Sequence, residues 1–359
     1  MEIPEEARRK ALPLGFEVLN QVSEADLNAV PPFRARSQFD KWLISRGGKA
    51  GMVWLTKEQA KTAKNRTSPN PLARLALQAT FNLKPARSSG VMDVCGACSS
   101  PGCRSNCLSD TGRFSSAAAQ NVQQKHAEFM LEDPLHALAL HRDEFAQHAE
   151  DAYAAGMHPV ARFNTLSDIP YHLLQSAPAI IGRYVNVPKG IERPKLLRGL
   201  PGATFMDYTG ANMRGATGKP EPALPLPNVF LHRSVKEWTT NARIKELADQ
   251  RLNVALPVDL GKNDPIPSHI TREDPAGGEP LTLRAYDSDR DDSRWADPEE
   301  GQFGALREKH AGSMQGKGVV INPHNNERGF IVPATPGTEE MVPVSIRTRP
   351  SRSRAFRGD

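Results

Sequence analysis

Every cysteine of the chain falls inside one short stretch, Cys95-Gly-Ala-Cys98-Ser-Ser-Pro-Gly-Cys103-Arg-Ser-Asn-Cys107, with spacing C-x2-C-x4-C-x3-C. Thiolates gathered this tightly are soft ligands, and they suit zinc or an iron–sulfur cluster. Gly96, Ser99, Ser100, Pro101 and Gly102 are turn formers, so the backbone can fold back and aim several sulfurs at one point. If the chain is helical there, Cys103 and Cys107 lie one turn apart and face the same way. The expected metal ligands are therefore Cys95, Cys98, Cys103 and Cys107, or three of them. Four thiolates on zinc would form a closed structural clamp. Reduced, unliganded thiols and disulfides are the weaker readings.

Whether such thiols stay reduced depends on compartment. The first residues, Met-Glu-Ile-Pro-Glu-Glu-Ala-Arg-Arg-Lys, are charged and lack the apolar core of a signal peptide. No stretch approaches the roughly 18 apolar residues that span a bilayer. These features predict a soluble, cytoplasmic protein with no membrane partner, whose thiols stay reduced. Apolar content of 38% with 30 prolines suggests one globular core carrying long loops and tails. The net charge of +5 permits nucleic-acid contact without demanding it. Part of that charge sits in Arg347, Arg349, Arg352, Arg354 and Arg357, which read as a disordered basic arm.

Three regions are expected: an N-terminal extension over 1–70 that packs on the core, a cysteine-cluster and α/β domain over 71–330, and an Arg-rich tail over 331–359. The extension carries a predicted strand at Met52-Val-Trp-Leu55 and a lysine-rich run, and an apolar segment over 72–83 precedes the cysteines. Residues 117–131 have helical composition. Pro134 then suits a first helical turn, Leu135, Leu138, His141, Phe145, Ala149 and Ala152 recur at helical spacing, and Gly156 ends that helix. Beyond it come short apolar runs at 160–164, 204–208, 229–232, 252–258, 281–286 and 319–321, read as strands. Ser234-Val-Lys-Glu237 has the form of a capping box for a helix over 235–250. Strand, helix, strand repeated along the chain argues for a parallel sheet, and the fold class expected is α/β, a complete or partial (β/α) barrel.

Polar residues cluster where the runs finish, and in such a barrel those ends converge on one face. The candidates are Asp168, Asp207 and Tyr208 for catalysis and Arg162, Asn164, Ser167 and His232 for substrate or cofactor binding. Each has a plainer reading: Ser167 or Asp168 as a cap for the following turn, His232 as a satisfied core histidine. Arg162 leans the other way, because an Arg inside a barrel needs a partner. The run Asp287-Ser-Asp289-Arg-Asp291-Asp292 starts like a calcium loop but lacks its tight-turn Gly, so self-pairing with Arg290 and Arg294 is preferred. His141 and His148 are expected at the surface or rim of the long helix. No dinucleotide or phosphate-loop glycine pattern is present.

The cysteine stretch followed by Leu108-Ser-Asp-Thr-Gly-Arg113, then Ala161-Arg-Phe-Asn-Thr-Leu-Ser-Asp-Ile-Pro170, Phe205-Met-Asp-Tyr-Thr209 and Asp289-x-x-Asp292-x-Arg294-x-x-Asp297-Pro298, resembles an uncharacterised family. Its members occur in actinobacterial phages and on plasmids and are related to the mycobacteriophage gene product 88 proteins. The resemblance covers roughly residues 70 to 325. It implies a phage protein in the host cytoplasm but little chemistry. The layout is also loosely similar to the radical S-adenosylmethionine enzymes, in which three thiolates hold a [4Fe–4S] cluster before a βα barrel. Their usual C-x3-C-x2-C spacing is missing. Cys95-x2-Cys98-x4-Cys103 resembles instead the spacing of the thiamin pyrimidine synthase, where the motif is C-terminal. Cys107 as a fourth ligand would close such a site. Two functions follow: an iron–sulfur enzyme, with S-adenosylmethionine as co-substrate, acting on a nucleotide, a nucleic acid or a small metabolite; or a non-enzymatic, zinc-stabilised nucleic-acid-binding protein serving replication of a mobile element.

Overall fold

The computed structural model of the chain describes residues 12–57, 74–85, 88–95, 116–198, 200–209, 226, 228–234, 239–244, 253–259, 269–284, 286–287 and 327–332. Two compact units divide it, one made of 1–98 with 115–231 and the other of 99–114 with 232–359.

The first unit opens on three short helices, α1 (Gly15–Leu19), α2 (Glu24–Ala29) and α3 (Arg34–Ser45). A capping box starts α2, with the Ser23 side chain accepting from the Asp26 amide and the Asp26 carboxylate accepting from the Ser23 amide. Strands β1 (Thr56–Lys57) and β2 (Ala76–Thr80) follow, then the long pair α4 (Ala117–Glu132) and α5 (Pro134–Ala154). Ser116 caps α4 through the Ala119 amide, and Asp133 caps α5 through the His136 amide, with Pro134 in the first turn as its fixed φ allows. At the other end Gly156 takes φ +65°; its amide reaches the Tyr153 carbonyl at 2.9 Å and the Met157 amide reaches Ala152 at 2.8 Å. This Schellman closure turns the chain straight into β3 (His158–Arg162). A short helix, α6 (Ala177–Ile180), leads to β4 (Thr204–Thr209).

β2, β3 and β4 lie side by side and parallel, with Ala76 level with His158, Thr80 with Arg162, and Ala161 with Phe205. Their C-terminal ends therefore share one edge. β1 pairs antiparallel on the far side of β2. The expected strand at 52–55 is displaced: Met52 to Leu55 are not in a strand, and pairing begins at Thr56. Trp54 and Leu55 are instead buried as core side chains. The Trp54 indole, with no exposed surface, lies 4.9 Å from the Phe81 ring and 4.7 Å from His126.

His141 and His148 are fully enclosed, at 0% and 1% exposure, and this corrects their assignment to the surface or rim. They lie on the same stripe of α5 as Leu138, Phe145 and Ala152, and that stripe is the face against the core. The Trp54 indole donates to His141 Nδ1 at 3.1 Å. The same Nδ1 lies 3.1 Å from the Ala137 carbonyl. His148 Nε2 meets the Leu77 carbonyl at 3.0 Å.

Arg142, only 6% exposed, ties α5 to the end of α2. Its Nη1 donates to the Leu27 carbonyl, Nη2 to Val30 at 2.9 Å and Nε to the Asp143 carboxylate at 2.7 Å. Replacing it with Met keeps most of the stem but strands two buried carbonyls. Arg142→Met is expected to cost about 2–4 kcal/mol in urea unfolding, with α1 and α2 losing amide protection first.

In the second unit, His232 to Ser234 of β5 (Val229–Ser234) pair in parallel with Asn253 to Ala255 of β6 (Asn253–Asp259). β7 (His269–Arg272) and β8 (Leu281–Arg284) form an antiparallel hairpin, and β9 (Tyr286–Asp287) and β6 both pair antiparallel with β10 (Glu327–Val332). The single expected strand over 281–286 is thus split between two partners. Ser234, the expected N-cap, ends the β5 ladder opposite Ala255, and residues 235–238 lie outside the described residues. The described helical turn between the strands is 241–244, where the Thr240 hydroxyl accepts from the Arg243 amide at 3.2 Å. The expected strand at 319–321, the Asp/Arg loop beyond Asp287 and the Arg-rich tail beyond 332 lie outside the described residues. Among the described residues no helix is long and apolar enough to cross a membrane.

Candidate functional site

The edge where β3 and β4 end is built around Asn164. Two residues past Arg162, its amide donates to Asp207 Oδ1 at 2.9 Å and its Nδ2 to Asp207 Oδ2 at 3.2 Å. Nδ2 also reaches the Ile169 carbonyl at 2.6 Å, while Oδ1 accepts from Ser167 Oγ at 2.8 Å and from the Ile169 amide at 3.0 Å. One side chain therefore folds the loop after β3 and holds the carboxylate of the next strand. Ser167 does not cap a following turn, as its plainer reading proposed: its hydroxyl is turned onto Asn164, and the turn at Tyr171–Leu173 starts from Pro170 with no side-chain cap.

Asp207 is on the same face of β4 as Phe205, two residues before it, and Ala161 and Phe163 likewise share a face. These four line a small cleft with Tyr171, His172, Ile181 and Val229. The apolar surroundings push the Asp207 carboxyl up to about 7, because burial disfavours the anion. Arg162 and the Asn164 bonds pull in the other direction, and Asp168 adds to the rise. A carboxyl poised near neutrality can both take and give a proton under ordinary conditions. Burial and the charge of Asp207 together raise the Tyr171 phenol well above its usual range, so it stays a donor.

The cysteine segment begins at this same edge. Asp93 is fastened by its own amide to the Pro13 carbonyl at 2.9 Å and by its carbonyl to the Gly15 amide at 2.8 Å. A Cβ at Gly15 would stand 3.1 Å from Ile169 Cδ1, a tight contact. The Asp93 carboxylate then accepts from the Cys95 amide at 3.1 Å, the Asp168 amide donates to the Val94 carbonyl at 2.9 Å, and the half-buried Cys95 thiol points to the Leu166 carbonyl at 3.8 Å. Cys95 is thus seated on the very loop that Asn164 organises. Cys98, Cys103 and Cys107 lie outside the described residues. Among the described residues no three His, Cys, Asp or Glu side chains come together as a metal site.

The structure brings Arg162, Asn164, Ser167, Asp168 and Asp207 together. Tyr208 continues β4 and His232 lies in β5 opposite Asn253, and their side chains are outside the described residues. Sequence reasoning missed Tyr171 and His172. The available signal was Ile169-Pro170-Tyr171-His172, polar aromatics placed by a proline directly after a strand-end loop.

In the first unit, then, parallel strands end on a half-buried carboxylate, and the loop that holds it also seats Cys95. The chain belongs to the gene product 88 family, a phage-type family whose model matches residues 53–330. No curated protein and no solved structure matches it.

Proposed function

We propose that this phage-type protein is a metal-dependent enzyme in which the cysteine segment holds a metal centre beside an acid–base carboxyl, Asp207. The observation that carries the reading is the seat of Cys95. Its thiol and the adjoining Val94 carbonyl are both bonded to the loop between Asn164 and Asp168, the loop that Asn164 also ties to Asp207. The spacing of Cys95, Cys98, Cys103 and Cys107 suits a [4Fe–4S] cluster or zinc. An iron–sulfur cluster with one open iron would supply electrons to S-adenosylmethionine, and zinc with an open position would supply a polarised water. The parallel strands with their shared polar edge are what a complete or partial (β/α) barrel would present. Asp207 serves as general acid or base toward a nucleotide or nucleic-acid substrate, Asp168 sets its charge environment, and Asn164 and Ser167 position it.

Anaerobic purification with iron, sulfide, zinc and absorption measurements tests this reading. The expected result is a brown protein that loses iron in Cys95→Ser, Cys98→Ser and Cys103→Ser but keeps it in Cys107→Ser. A colourless protein that carries one zinc and loses it in all four variants would instead make the segment a closed structural clamp. That outcome favours the non-enzymatic, zinc-stabilised nucleic-acid-binding reading. Absence of any bound metal would remove the proposal.

A further inference from the structure

We propose that the outward face of α3, headed by Phe33, binds single-stranded nucleic acid, with a base stacked on the Phe33 ring and backbone phosphates on Arg34, Lys41 and Lys49. This surface goes beyond the metal and acid–base reading, since it needs neither the cysteine segment nor Asp207.

α3 buries Ala35, Phe39 and Leu43. On the opposite side of a helix with 3.6 residues per turn stand Arg34, Ser37, Lys41 and Ile44, and all four are exposed. Residues 31–53 hold five basic side chains against one acid, Asp40. Arg36 and Arg46 are paired with Glu144 and Glu132. Arg34, Lys41 and Lys49 are exposed and meet no acid among the described residues. The neighbouring carboxylates are engaged elsewhere: Asp40 accepts from the Gly51 amide at 2.9 Å, and Asp143 from Arg142 Nε at 2.7 Å. Three cations are therefore left without a protein counter-charge, which an external polyanion would supply.

Phe33 narrows the kind of polyanion. It is 79% exposed and takes φ +66°, the one left-handed non-glycine among the described residues. An exposed Phe by itself needs no account. One held outward in a backbone conformation that L side chains disfavour does. Its amide donates to Asp143 Oδ2 at 3.3 Å, and the Arg34 amide donates to the Pro31 carbonyl at 3.3 Å. Those bonds hold the turn that presents the ring to solvent beside Arg34. An open aromatic ring next to unpaired cations matches a single strand, whose bases stack while its phosphates meet Lys and Arg. A duplex keeps its bases stacked on one another and offers the ring no face. A lipid surface would call for an apolar outer face, whereas α3 turns its apolar stripe inward.

Fluorescence anisotropy of a labelled oligothymidylate of about 15 nucleotides, a length that one such groove covers, tests the surface on the full-length protein with the metal it carries. Phe33→Ala is expected to weaken binding about ten-fold with an unchanged salt slope, and Phe33→Trp to retain it. Arg34→Gln combined with Lys41→Gln should instead flatten the slope of log affinity against log salt by about 1.4, since each phosphate contact on a single strand contributes about 0.7. The tail arginines are present in every variant, so the differences report on α3. Wild-type behaviour in both variants overturns the proposal and places any binding elsewhere in the chain. A flattened slope with no effect of Phe33→Ala shows a general polyanion patch and overturns the single-strand assignment. Tighter binding to vesicles of phosphatidylcholine with phosphatidylserine, lost in Phe33→Ala, makes the face a membrane surface and overturns it as well. The substituted side chains are exposed, and urea midpoints check that the fold is kept. If Phe33→Ala does not fold, Phe33→Leu, which keeps bulk without a ring, decides in its place. Metal is measured on the same samples. Metal-free protein that binds through Phe33 removes the metal reading alone, and metal-loaded protein that does not bind removes this one alone.

Discussion

Lowering the pH from 7 to 5 is expected to destabilise the protein by roughly 4 kcal/mol, through three histidines that fold without their protons. Burial holds His126 at about 4, and it holds His141 and His158 at about 3, against an ordinary 6.5. The unfolded chain takes up protons below pH 6.5 and the folded chain does not. Stability present above 6.5 is therefore lost as the pH falls toward the folded values. At pH 5 this amounts to about 2 kcal/mol for each ring. Geometry supports the neutral ring at His158, whose Nδ1 accepts from Arg193 at 2.6 Å while its Nε2 meets the Thr204 hydroxyl at 2.9 Å. At His141 the Trp54 indole and the Ala137 carbonyl both meet Nδ1 at 3.1 Å, and burial decides. His126 is different, since both its nitrogens face carbonyls, Asn82 and Val53, which favour the cation, and burial outweighs them. Asp207 works in the opposite sense. Its carboxyl rises on folding, so the folded state gains protons as the pH drops, which returns about 2 kcal/mol over the same interval. The three rings win. Urea midpoints at pH 7, 6 and 5 measure the balance, and an unchanged midpoint would show that the rings are not held neutral.

Asn164→Ala is expected to be the most damaging single substitution at the strand-end edge, at about 3–5 kcal/mol. The side chain alone makes four of the local bonds, and its loss leaves the Ile169 amide and carbonyl, the Ser167 hydroxyl and one Asp207 oxygen without that partner. Three of these residues, Asn164, Ser167 and Ile169, are at most 7% exposed, so water cannot readily replace the lost bonds. The comparison variant is Ser167→Ala, which removes one bond and should cost about 1 kcal/mol. Amide exchange localises the effect. In Asn164→Ala the Ile169 and Asp168 amides should lose protection well before those of α5, whereas a uniform loss across the unit would mean that Asn164 supports the whole core rather than this loop.

Much of the local structure was legible in the residues. Pro134 at the first turn of α5, Gly156 at its close and the short apolar run of β4 are short-range signals, and each depends on neighbours only a few positions away. Asn164, Ser167, Asp168 and Asp207 were singled out because they stand where apolar runs finish, and parallel pairing places those finishes on one edge. One reading failed where a local pattern had two solutions. His141 and His148 fit either face of a helix by chemistry, since a neutral imidazole can be buried when its nitrogens are engaged.

By itself the sequence determined the thiol cluster, the long capped helices and the positions of polar residues at strand ends, because composition, spacing and capping are written in adjacent residues. Only the tertiary structure decided that Cys95 rests on Leu166, that Tyr171 shares a cleft with Asp207, and that a histidine on α5 lies under a tryptophan from residue 54. Those contacts join segments dozens of residues apart. No local pattern encodes them, since they are fixed by which faces bury together once the whole core has packed.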